Sequence, residues 1–229
     1  MFFSFFYGSF CYTNLYKNRT LEREKLMRLT DRDKKVLEWI NGFGFVKARD
    51  VMRKFFDSRT PCYRRMKAMT DNGFLRTKGV FQEENSNIYI PTKKALRATG
   101  DELPVVENLA VHTYRHDLSL VELSLELEEK TGGEFIPERR LRQNPESYRV
   151  HNHVPDGLLI TKDEKVSIEL ELSRKNKQRI NRIMRDHSMN IGIDEVWYFV
   201  KDDLLKSFIL SEAKRAKFSD IKVFSIGGK

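Results

Sequence analysis

Three carboxylates stand out by type and spacing. Asp156 follows Pro155, and further along Glu169 and Glu171 flank Leu170. The runs Val154–Ile160 and Val166–Leu172, separated by Lys162-Asp163-Glu164-Lys165, predict a β-hairpin. Alternation in the second strand puts Val166, Ile168, Leu170 and Leu172 on one face, and Ser167, Glu169 and Glu171 on the other. Asp156, opening the neighbouring strand, can reach the same corner. Converging carboxylates suit a hard cation such as Mg²⁺, with Asp156 and Glu169 as its ligands. Such an ion binds a scissile phosphate and activates water. On that chemistry Asp156, Glu169, Glu171 and Lys175 are the catalytic candidates, with Glu171 ligating or orienting water and Lys175 binding phosphate. The structural alternative for Glu169 and Glu171 is a solvated strand face. Ser173 is expected to cap a helix carrying Arg174, Lys175, Lys177, Arg179, Arg182 and Arg185, with no acid among them. His151 and His153, an H-x-H pair just before Asp156, would share a face on a strand and could join a metal site, but an exposed loop pair is the expected reading.

The elements that would position these groups follow from periodicity. From Pro104 onward the expected order is a long helix over about residues 105–130, three strands, a helix, a strand, a helix and a strand. Ahead of it, Thr30 and Asp33 predict a capped helix bearing Val36, Leu37 and Ile40, closed by Asn41-Gly42. A second helix is expected over about residues 47–56. A third should be capped by Thr60 with Pro61 at its first position, and should bury Cys62, Met66 and Met69. Phe74–Lys78 and Asn87–Ile90 read as short strands around a polar loop. Three helices and then a hairpin is the order of a winged helix-turn-helix, whose third helix enters a DNA major groove. Arg59, Tyr63, Arg64 and Lys67 on that helix are the candidate DNA contacts, flanked by Arg53, Lys54, Arg76 and Lys78.

Charge divides along the same line. Residues 1–29 carry five bases and two acids, residues 30–100 sixteen and eight, and residues 101–229 twenty-one and twenty-three. A basic segment joined to a near-neutral remainder suggests two modules, the first facing a polyanion. The expected division is an N-terminal arm over 1–29, a DNA-binding domain over 30–100 and a second domain over 104–229, with Gly100-Asp101-Glu102-Leu103-Pro104 as the linker. Two cysteines, Cys11 and Cys62, are too few for a disulfide framework, so the expected setting is reducing and cytoplasmic. No stretch reaches the ~18 apolar residues of a membrane span, so no membrane partner is expected. The aromatic start (Phe2, Phe3, Phe5, Phe6, Tyr7, Phe10) lacks the marks of a secretory signal. It is read either as an arm docking on the body or as residues ahead of a true start at Met27.

Pro155-Asp156, a turn and Glu169-Leu170-Glu171, within an α-β-β-β-α-β order, resemble the PD-(D/E)XK nuclease pattern. With the winged helix, the His112–Asp117 segment and Glu138-Arg139-Arg140-Leu141-Arg142, the chain resembles the replication-relaxation family over about residues 30–226. The resemblance implies an α/β chain in which a winged helix precedes a restriction-endonuclease-like domain. It also implies a role in replication or mobilisation of a plasmid or other mobile element. Double-stranded DNA would be the partner, with replication or relaxosome proteins beside it. The pattern's final lysine falls on Glu171; some restriction enzymes use Glu there, and Lys175 could substitute from a different backbone position. A Mg²⁺-dependent site-specific endonuclease and a winged-helix transcriptional regulator are the alternatives. The absence of G-x-x-x-x-G-K-[ST] and G-x-S-x-G strings argues against a P-loop nucleotidase or an α/β-hydrolase.

Overall fold

The computed structural model describes residues 27–79, 87–143, 153–189 and 192–226. The aromatic arm up to residue 26 and His151 lie outside the described residues. Helix α1 (Asp31–Phe43) begins on the expected capping box: Thr30 and Asp33 bond reciprocally, satisfying two amide donors that a helix start leaves open. Its end needs Gly44, at φ 89°, where a Cβ would stand 2.7 Å from Val106 Cγ2. Strand β1 (Val46–Lys47) leads into α2 (Ala48–Phe55) and then α3 (Arg59–Asp71). Ser58, not Thr60, occupies the cap of α3, so Pro61 falls third in the helix. The first turn tolerates it there, because its missing N–H has no intrahelical acceptor. Cys62, Met66 and Met69 are fully buried, as their spacing predicts.

Strands β2 (Leu75–Gly79) and β3 (Asn87–Pro91) pair antiparallel, and β1 joins the far edge of β3, giving a three-stranded sheet ordered β1-β3-β2. The short helix α4 (Lys93–Thr99) was not visible as a separate element in the sequence. It is capped by Thr92 and closed by left-handed Gly100.

The long helix begins later than expected. Helix α5 spans Tyr114–Thr131, and residues 105–113 do not join it. Arg76 explains part of this: it donates to the carbonyls of Val106 at 2.6 Å and Glu107 at 2.9 Å, which fixes that segment against β2. Next come β4 (Glu134–Pro137), α6 (Glu138–Gln143), β5 (Gly157–Ile160), β6 (Lys165–Glu171), α7 (Lys177–Ser188), β7 (Glu195–Val200), α8 (Asp203–Ala216) and β8 (Ile221–Ser225). The five strands lie in the order β4-β5-β6-β7-β8, antiparallel up to β6 and parallel beyond it. Central β6 is therefore covered on both faces, and Val166 through Glu171 are all buried. Helix α7 starts at Lys177 with Asn176 as its cap, so Ser173 caps nothing and Arg174 and Lys175 precede the helix. The chain is thus α/β, with eight helices and two sheets among the described residues, and no described helix is long and apolar enough to cross a membrane.

The two halves share a core. Val36, Leu37, Ile40 and Met66 belong to the same buried cluster as Val121, Leu127, Phe135, Ile168 and Leu170. The expected linker is part of the weld. Asp101 receives both terminal nitrogens of Arg140 at 2.6 Å, Asn41 Nδ2 at 2.9 Å and the Leu103 amide at 3.0 Å. Arg140 also donates to the Glu38 carbonyl at 2.8 Å, and Arg139 to that of Pro104 at 2.6 Å. Burial opposes the charge on Asp101, but the bonds from Arg140 and Asn41 outweigh it and hold its pKa below 3.8. A carboxyl shifted downward stabilises the fold above its unfolded pKa, and that contribution is lost as pH falls through the folded value. Replacing Asp101 with Asn should cost about 2–4 kcal/mol in urea unfolding at neutral pH. It should also flatten the acid limb of the stability profile below pH 3.8. A loss within about 0.5 kcal/mol, the range of ordinary surface changes, would dismiss this carboxylate as a structural node.

Candidate functional site

The sheet brings the predicted carboxylates to one end. Gly157 pairs with Ile168, so Asp156 enters β5 beside the stretch of β6 that carries Glu169 and Glu171. Gly157 lies under the ring of Phe135, where a Cβ would come within 2.0 Å of Cζ, so only glycine allows this approach. Asp156 Oδ2 accepts the Leu170 amide at 2.8 Å, which fixes its side chain against β6. In β7, Tyr198 pairs with Glu169 and Val200 with Glu171.

These carboxylates do not form a solvated face. Glu169 and Glu171 are almost wholly buried, and each has a basic neighbour from its own chain. Glu169 Oε1 lies 2.6 Å from His153 Nε2 and 3.0 Å from His187 Nε2. Burial favours its neutral form, yet the two imidazoles more than compensate and bring its pKa down to about 2. His153 is shifted upward: burial opposes its charge, but Glu169 prevails. It is thus neither exposed nor idle, contrary to the loop-pair expectation. Glu171 pairs with Lys175 at 2.6 Å, and burial still keeps its pKa above the ordinary value. His116 Nε2 stands 3.3 Å from Asp156 Oδ2 and 3.1 Å from the Leu170 carbonyl, while its Nδ1 stands 3.3 Å from Asp117. Burial again disfavours charge there, but Asp117 and Asp156 overcome it and raise the pKa to about 10. The Tyr198 hydroxyl is buried without a hydrogen-bond partner, and its pKa is raised by burial and by Glu169, Glu171 and Asp156.

Asp156, Glu169 and Glu171 are therefore neighbours, and Lys175 joins them from the segment ahead of α7 rather than from within a helix. Sequence reasoning missed His187 and His116. His187 lies on the inner face of α7, where spacing alone reads it as core. His116 falls within the motif His112–Asp117, but nothing local ties it to Asp156. The donor set fits a hard all-oxygen Mg²⁺ site poorly, since two imidazoles address the oxygen of Glu169 and a lysine addresses Glu171.

The eight candidate DNA contacts divide into two groups. Arg53 grips Glu129 through Nε at 2.6 Å and a terminal nitrogen at 2.5 Å. Lys54 pairs with Glu128, Arg49 with Glu122, and Arg76 holds residues 106 and 107. These cations face α5 and its approach. Arg59, Tyr63, Arg64 and Lys67 instead lie exposed along α3, beside a groove whose other wall includes Thr77 and Tyr89. The Arg59 guanidinium stands 5.0 Å from the Tyr63 ring centroid, and Lys67 pairs with Asp71 at 2.6 Å. Lys78, near the end of β2, is also exposed. Further bases, Arg179, Arg182 and Arg185, lie on the outer face of α7.

Compared with known proteins, the chain matches no family model and no curated sequence. The family resemblance thus rests on the motifs quoted above.

The Glu171–Lys175 pair gives a test of the site's electrostatics. Lys175→Met should cost about 1–3 kcal/mol, because it leaves a buried carboxylate without its cation. Adding Glu171→Gln should recover part of that loss. Additive effects in a double-mutant cycle of urea unfolding would mean that the two groups do not interact.

Proposed function

We propose that the protein binds double-stranded DNA through α3 and the β2–β3 hairpin, used as a winged helix-turn-helix. In this reading its second half is a PD-(D/E)XK nuclease-like domain. The chain would act in replication or mobilisation of a plasmid or other mobile element, as a member of the replication-relaxation family.

The observation that carries the proposal is the exposed Arg59/Tyr63/Arg64/Lys67 face, bordering an open groove beside a β-hairpin. Its residue types suit DNA. Guanidinium and ammonium groups bond phosphates or guanine edges, and the tyrosine adds a hydroxyl and a flat ring. The Cys62, Met66 and Met69 side holds α3 against the core, so the basic face is presented by a fixed helix. The family assignment and the role in mobile-element biology draw on the motif resemblance alone.

A second reading, a metal-dependent site-specific endonuclease, is favoured by the gathering of Asp156, Glu169 and Glu171 with Lys175 at 2.6 Å from Glu171. It ranks below the first because each of the three carboxylates already has a partner within the chain. DNA cleavage by the purified chain with added Mg²⁺ or Mn²⁺, lost in Asp156→Ala, would reverse that order.

The test uses the full chain, whose halves share a core. Affinity for a DNA duplex should fall by about 0.9 log units per log unit of salt for each phosphate contact. Arg64→Ala with Lys67→Ala should lower that slope by about 1–2 and leave the melting temperature unchanged. Arg53→Ala should leave the slope as it was. An unaltered slope in the Arg64/Lys67 variant, or no salt-sensitive binding by the parent, would refute the proposal. Mapping bound DNA in the native element, at its replication origin or at promoters, separates the mobile-element role from transcriptional control.

A further inference from the structure

We propose that His153, Glu169 and His187 form a binding site for one divalent transition-metal ion of the zinc class. The site is independent of DNA binding by α3.

Three separate parts of the fold supply the donors. His153 lies ahead of β5, Glu169 in the middle of β6, and His187 in the last turn of α7. One ligand atom from each lies within 4.8 Å of the others. Both imidazoles present Nε2 to a single oxygen, Glu169 Oε1, at 2.6 and 3.0 Å. Zinc binds imidazole nitrogen and carboxylate oxygen at about 2.0–2.2 Å, which places tetrahedral ligand atoms about 3.3 Å apart. A tetrahedral ion would therefore need the two imidazole nitrogens to move off Glu169 Oε1 by about 0.7 and 0.3 Å.

The surroundings suit an ion that must be captured and then shielded. The His187 and Glu169 side chains are buried at 0% and 3% exposure, whereas His153, at 21%, stands nearer to solvent. His153 thus lies where an ion would enter. Two buried polar atoms nearby are unsatisfied: the Tyr198 hydroxyl, on the strand residue paired with Glu169, and Nδ1 of His187. Buried polar groups without partners are rare in folded proteins. Two imidazoles and one carboxylate make a borderline-soft set, which selects zinc, cobalt, nickel or iron over magnesium. Three protein ligands would leave a fourth position for water or another anionic group.

The experiment is a metal titration of the full chain after stripping with a chelator, using Zn²⁺ against a chromophoric competitor. The expected result is one Zn²⁺ per chain, bound at least about 100-fold more tightly than Mg²⁺. Co²⁺ in its place should give the visible bands of a four- or five-coordinate ion with nitrogen ligands. His153→Ala and Glu169→Gln should each weaken Zn²⁺ by at least about 100-fold, and exposed His112→Ala should not. His153 stands at the rim, so its variant tests the site even if Glu169→Gln unfolds; circular dichroism monitors that. A folded parent that takes up no Zn²⁺, or affinity unchanged in His153→Ala, would mean a metal-free hydrogen-bonded triad and overturn the proposal. Loss of DNA binding alone would leave it standing.

Discussion

One carboxylate, that of Asp101, sets how the two halves meet. Its two oxygens take bonds from helix α1 through Asn41, from α6 through Arg140, and from its own loop through Leu103. Each replaces a bond to water, and the bidentate, charge-assisted pair with Arg140 is the strongest of them. Together they bury the loop between the halves and bring α1 against α6. The apolar cluster can then run unbroken from Val36 and Met66 to Ile168 and Leu170. A segment that composition marks as a hinge is therefore a fixed joint. The direction in which α3 faces is set by the same packing that places β6.

The centre of the second sheet carries a cost that apolar residues would avoid. Glu169 and Glu171 occupy the most enclosed strand, and their pairing with histidines and lysine offsets desolvation without making the arrangement cheap. Well-packed aliphatic side chains at these positions would serve stability as well or better. The cluster's arrangement thus departs from what folding alone would favour, and such departures gather at functional sites. Its location fits. At β6 the sheet passes from antiparallel to parallel pairing, and the C-terminal end of that strand meets the start of β5, where chain connections leave room for side chains to converge.

Much of the fold could be read along the chain because it was local. The Thr30–Asp33 box, the Cys62/Met66/Met69 stripe and the alternation of β6 each report on residues a few positions apart. The failures were non-local. Residues 105–113 stay out of α5 while Arg76 occupies two of their carbonyls. Glu169 and Glu171 alternate as a half-exposed strand would, but neighbours on both faces enclose them. For the site, the carboxylates showed in their spacing, whereas their partners did not. His187 follows Glu169 by one helix, and only the docking of α7 brings its ring to the carboxylate. The charge excess was legible as a total, but not which of its members meet acids of α5.

The acidic row on α5 has a further consequence. Glu122, Glu128 and Glu129 already accompany Arg49, Lys54 and Arg53. Cations paired in this way release fewer mobile counterions when a polyanion arrives. The excess charge of residues 30–100 therefore overstates the ions exchanged on binding a duplex. In effect α5 supplies three fixed counter-charges to this broadly basic segment.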